Sequence, residues 1–183
     1  MALWTEITYH SVTFADSRLD RYLTEIRSLY VNGGAYVECV EADDAVLFDE
    51  ALRNDLQGMR YRLASFLGQP SVGISIHALG IPKQVPATLD FRCIGRYQLE
   101  GALVETVLNG GLYHNYTGTA EVARALARDC ADAICVEPFK AWDCYQIIGA
   151  WADAFFNIGW DSTFILCSGS QRRWLLLWMT DTD

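Results

Sequence analysis

Residues 173–183 read RWLLLWMTDTD, and the alternation inside that run decides the fold. On an extended chain Trp174, Leu176 and Trp178 share one face, while Leu175, Leu177 and Met179 share the other. A strand that is apolar on both faces belongs inside a sheet, with a layer packed on each side. Residues 162–167 (STFILC) read as a second strand, and Ser168-Gly169-Ser170-Gln171-Arg172 between the two suits a hairpin connection. The spacing predicts an α+β fold: a largely antiparallel sheet ending in a C-terminal hairpin, with three to four amphipathic helices packed on it. At 183 residues the chain reads as one globular domain spanning 1–183.

Upstream, periodicity switches between helix and strand. Leu19, Leu23, Ile26 and Tyr30 recur at three- and four-residue steps, which predicts a helix over 16–31 capped by Asp16 or Ser17. Residues 35–40 read as a strand. A helical pattern over 44–67 runs through Phe48, Leu52, Leu56, Met59, Leu63 and Phe66, and Gly68-Gln69-Pro70 stops it. Strands are expected over 72–78 and 88–94, with a Gly/Pro loop between them. Helices follow over 97–108, carrying Leu99, Leu103 and Val107, and after Thr119, placing Val122, Leu126, Cys130 and Ile134 on one face. Residues 143–148 complete the expected strands. A near-repeat, LYVNGGAY (29–36) and TVLNGGLY (106–113), fits either a duplicated helix–strand unit or ordinary helix-ending chemistry, since Asn and Gly supply the left-handed residue that closes a helix.

The composition limits the possible partners. Hydrophobic residues make up 51% of the chain and charged ones 20%, which supports a large core and excludes a disordered tail. The formal net charge is −9, with two lysines against twelve arginines, so the chain should repel nucleic acid and favour a basic partner. No apolar stretch reaches the roughly 18 residues of a membrane span, and the start, MALWTE, lacks the pattern of a secretion signal. A cytoplasmic protein with reduced, mostly buried cysteines is expected.

Motifs for chemistry are sparse. His10, His77 and His114 are far apart, and no zinc-type spacing joins them to a cysteine. No phosphate-cradling loop appears. Ser75 and His77 would share one face of a strand over 72–78, but without the exposed turn a nucleophile needs. No cofactor is expected. Two acidic concentrations stand out. Around the hairpin, Asp161, Asp181 and Asp183 crowd one end, open to three readings: surface charge, contact with a partner, or an oxygen-rich Mg²⁺ or Ca²⁺ site. Between 38 and 55, seven acids (Glu38, Glu41, Asp43, Asp44, Asp49, Glu50, Asp55) face one base, Arg53. Asp43 and Asp44 fit a helix start. The remaining acids form either a solvated face or an electrostatic docking surface.

The stretches GGLYHNYTGTAEVARALARD (110–129) and GAWADAFFNIGWDSTFILCSGSQRRWLLLWMTDTD (149–183) carry a resemblance. Their Trp-Asp-x-Thr-Phe, short turn, Trp with apolar residues, and final Thr-Asp-Thr-Asp are similar to small bacterial cytosolic immunity proteins of polymorphic or type VI secreted toxins. The resemblance implies a non-enzymatic inhibitor that binds and occludes a cognate protein toxin, with carboxylates occupying the positions of substrate phosphates. The partner-binding residues expected on this reading are Asp43, Asp44, Asp49, Glu50, Asp55, Asp161, Asp181 and Asp183. The alternatives are an enzyme with a carboxylate metal site near Asp161, Asp181 and Asp183, or a structural subunit of a larger assembly.

Overall fold

The computed structural model describes residues 4–82, 89–135, 142–147, 149–155 and 159–182. Six strands form one antiparallel sheet: β1 (Tyr9–Val12), β2 (Gly34–Ala42), β3 (Phe91–Ile94), β4 (Trp142–Ile147), β5 (Ser162–Ser168) and β6 (Arg173–Thr180). Their order is β1-β2-β6-β5-β4-β3. The helices are α1 (Ser17–Leu29), α2 (Ala45–Arg53), α3 (Gly58–Leu67), α4 (Pro70–Ser75), α5 (Arg96–Asn109) and α6 (Ala120–Ile134). The fold is α+β, with the C-terminal hairpin expected from the sequence.

β6 lies between β2 and β5 and is buried along its length. Its alternation divides the interior in two. Trp174, Leu176 and Trp178 enter one core with Phe48, Leu63, Phe66 and Val72 from α2, α3 and α4. Leu175, Leu177 and Met179 enter the other with Leu23, Ile26, Leu103 and Ala127 from α1, α5 and α6. Trp174 anchors the first core: Phe66 stacks on it at 4.1 Å between ring centroids, Tyr145 lies at 6.1 Å, and Trp4 meets it edge-on at 6.4 Å. Removing a buried tryptophan of this kind costs about 3–5 kcal/mol. The hairpin closes with Ser168 opposite Arg173, and Arg172 takes the left-handed backbone (φ 56) in the turn.

Helix starts follow their caps. Asp16 accepts the amide of Arg18 at 2.9 Å and opens α1, Asp44 accepts those of Val46 and Leu47 at 2.9 Å and opens α2, and Thr119 accepts that of Val122 at 3.3 Å and opens α6.

Several expectations are corrected. The helix expected over 44–67 is two helices, broken at Asn54–Gln57 by a turn that leaves Leu56 86% exposed. Periodicity alone carried the pattern across this break. The strand expected over 72–78 is α4 followed by a 3-10 turn, His77–Leu79, with Pro70 at a first helical position and the helix packed against β1. Of the stretch 88–94 only Phe91–Ile94 is strand, and Thr88 lies outside the described residues. On α6 the buried stripe is Ala123, Ala127, Cys130, Ala131 and Ile134, while Val122 is 50% exposed. Small side chains there let α6 approach α5 and α1 closely. All six cysteines are free thiols, and Cys93, on an edge strand, is exposed.

The near-repeat is not a duplicated helix–strand unit, since a strand follows the first Asn-Gly-Gly and an irregular turn follows the second. Nor do Gly33 and Gly34 supply a left-handed residue: Tyr30 closes α1 with extended backbone (φ −96, ψ 112). At the second stretch Gly110 does close α5 with positive φ (67), and Gly33 and Gly111 are needed for space. A Cβ on Gly33 would lie 1.8 Å from the Thr180 carbonyl oxygen, and one on Gly111 would lie 2.2 Å from that of Leu29.

Candidate functional site

Both Asn-Gly-Gly turns meet at the end of the sheet where β6 leaves it. There Asp181 is fully buried; its Oδ1 accepts the Asn32 amide at 3.2 Å and its Oδ2 accepts the Leu112 amide at 2.8 Å. The side-chain amide of Asn32 donates to the Thr182 carbonyl at 2.9 Å. Asp161 sits opposite Thr180 and accepts its hydroxyl at 2.7 Å. Burial, followed by the nearby Asp181 and Asp161 carboxylates, pushes the Tyr30 phenol well above its ordinary range. Asp181 is therefore a clamp inside the fold, which corrects its assignment as a partner contact. Asp183 lies outside the described residues. The alternative of a metal site divides accordingly: one carboxylate accepts two backbone amides and the other accepts a threonine hydroxyl. Among the described residues no group of three or more His, Cys, Asp or Glu side chains is placed to hold a metal ion.

The acids between 38 and 55 change character once the chain is folded. Cations that the sequence places elsewhere come to them. Arg172 in the hairpin turn forms a two-pronged pair with Asp49, at 2.9 and 2.8 Å, which lowers the Asp49 carboxyl below its usual range. Arg173 pairs with Glu41 at 2.7 Å, and His10 meets Asp43 at 2.6 Å. Asp55 turns inward, its side chain only 6% exposed, and receives Arg62 through Nε at 2.9 Å and Nη2 at 2.5 Å. The Arg62 guanidinium also bonds Asp143 on β4 and lies 5.3 Å from the Trp4 ring. A buried guanidinium held between two carboxylates locks α3 to the sheet, which corrects Asp55 as a docking residue. What stays outward is Asp43, Asp44 and Glu50, with Val46 among them at 67% exposure.

Ser75 and His77 do not share a strand face; they end α4 and begin the 3-10 turn. A different constellation, missed from the sequence, lies on the same side of the sheet. Tyr36 on β2 stacks on Trp178 of β6, with ring centroids 5.3 Å apart and planes inclined by 19°. The two rings form the wall of a pocket of about 210 Å³ completed by Asn32, Gly33, Ala78 and Ala154. Glu38 is two residues from Tyr36 on the same strand face, half-buried. Burial raises its carboxyl above the ordinary range, against the attraction of His77. The alternation Tyr36, Glu38, Val40 was legible as one strand face. That Trp178 and Ala154 would close a pocket over it was not.

Comparison with known proteins gives no relative: no protein-family model, no curated protein and no solved structure matches the chain. No helix among the described residues is long and apolar enough to cross a membrane.

Proposed function

We propose that this chain is an immunity-type inhibitor that binds and occludes a cognate bacterial toxin, one whose active-site cleft is basic. The observation that carries the reading is the outward face at the start of α2. There Asp43, Asp44 and Glu50 stand exposed within four residues of the exposed Val46, in a chain of net charge −9. An apolar centre rimmed by carboxylates is the complement of a cleft that binds phosphates, and such a field speeds capture of a basic partner. The mechanism is steric and electrostatic: carboxylates take the positions of substrate phosphates and the bulk of the sheet blocks entry.

The test is affinity capture from the native host, followed by association kinetics with the captured toxin. Glu50→Lys should slow association about tenfold at low salt and much less at high salt, with little change in dissociation. Val46→Ala should raise the dissociation rate instead. Capture of no toxin-like protein, or a Glu50→Lys variant with unchanged salt dependence, overturns the proposal.

A further inference from the structure

We propose that the pocket walled by Tyr36 and Trp178 receives an arginine or lysine side chain from a basic protein partner. The inference rests on the reading of the chain as a binder of such a partner, and it deepens that reading by giving the partner's anchor a place. Gly34 leaves room for Tyr36 to fold its ring back along the strand, since a Cβ there would lie 2.9 Å from the Tyr36 hydroxyl oxygen. The ring then packs one face on Trp178, which is 1% exposed, and remains 40% exposed itself. An aromatic ring held rigid on one side and open on the other is a surface on which a cation gains from the ring's quadrupole.

Charge on one flank selects the sign of the occupant. Glu38 stands next to Tyr36 on the same strand face, half-buried. Among the described residues the charge that favours its ionised form is the exposed imidazole of His77, next to Ala78 in the pocket wall. Among the described residues lining the pocket there is no lysine or arginine. Glu41 and Asp49 are already paired with Arg173 and Arg172 of this chain, whereas among the described residues no arginine or lysine pairs with Glu38. A pocket of about 210 Å³ accommodates one extended basic side chain and is too small for a folded element.

The experiment uses the full chain and two blocked tripeptides, acetyl-Gly-Arg-Gly-amide and acetyl-Gly-Glu-Gly-amide, titrated against ¹⁵N-labelled protein. The arginine peptide should give saturable shifts at the amides of Asn32, Gly33, Ala78 and Ala154, and the glutamate peptide none. Glu38→Gln should weaken the arginine peptide about threefold or more, as should Tyr36→Leu. Absent or non-saturable shifts, equal response to the two peptides, or an unchanged affinity in Glu38→Gln each overturn the inference. Its fate is separable from that of the inhibitor reading. Tripeptide binding with no toxin captured leaves the pocket and removes the inhibitor. A captured toxin that binds Tyr36→Leu and Glu38→Gln as tightly as the parent keeps the inhibitor and removes the pocket.

Discussion

The Oδ2 of Asp181 accepts the backbone amide of Leu112 at 2.8 Å, joining the end of the last strand to a turn 69 residues earlier. The other oxygen of the same carboxylate holds the Asn32 amide, 149 residues away. Three distant points of the chain thus share one buried charge, and the end of the sheet is closed by it.

Replacing that carboxylate should be costly. Asp181→Ala strands two part-buried amides and is expected to lower stability by about 3 kcal/mol, with Asp181→Asn, which keeps one acceptor, losing less. In a chain of this size that corresponds to a fall in Tm of about 6–12 °C. Urea unfolding of the two variants checks the order, and an Asp181→Ala protein as stable as the parent would contradict the clamp.

The glycines that make room for this clamp separate from one that does not. Gly33→Ala and Gly111→Ala drive a Cβ into the Thr180 and Leu29 carbonyls, so both should destabilise by at least as much as Asp181→Ala. Gly101, exposed on α5, has nothing within 4 Å of an added Cβ, and Gly101→Ala should stabilise by about 0.5–1 kcal/mol. Thermal melts of the three variants should move in these opposite directions.

Arg62 provides a second structural test. Arg62→Met leaves Asp55 without its cation in a nearly closed environment, for an expected loss of about 3–5 kcal/mol. Adding Asp55→Leu should recover much of that loss, because the isolated buried charge is then gone. A double variant no better than the single one would show that Arg62 acts through packing on Trp4 instead.

Asp16 gives a pH signature. The Arg18 side chain beside it lowers its carboxyl from 3.8 to about 2. The folded value is depressed, so the stabilisation is present above the unfolded value and is lost as pH falls toward 2. Asp16→Ala should therefore cost about 1 kcal/mol at neutral pH, with the difference from the parent closing as pH falls from 4 to 2.

Glu38 has the opposite sign. Its folded value is raised, so the contribution is favourable when the carboxyl is protonated and is lost as pH rises through the folded value. Glu38→Gln should be at least as stable as the parent at pH 7 and should lack this loss between pH 4 and 7, a comparison that denaturant titrations at both pH values make directly.

The sequence by itself determined the central layer. Six apolar side chains in alternation on β6 can only be buried by covering both faces, and the short turn before it can only return the chain antiparallel. Asp16, Asp44 and Thr119 likewise fixed where helices begin, because their side chains satisfy backbone amides within a few residues. Only the tertiary structure decided the rest. Residues 72–78 carry apolar positions that suit either period, and packing against β1 settled them as helix. The acids between 38 and 55 looked uncompensated because their cations, Arg172 and Arg173, arrive from more than a hundred residues away. Asp181 looked like a charged strand end, yet it is buried, since its partners are backbone amides that no side-chain pattern records. Local patterns register what a residue does to its neighbours in the chain, whereas the charge that remains at this protein's surface is what long-range pairing leaves over.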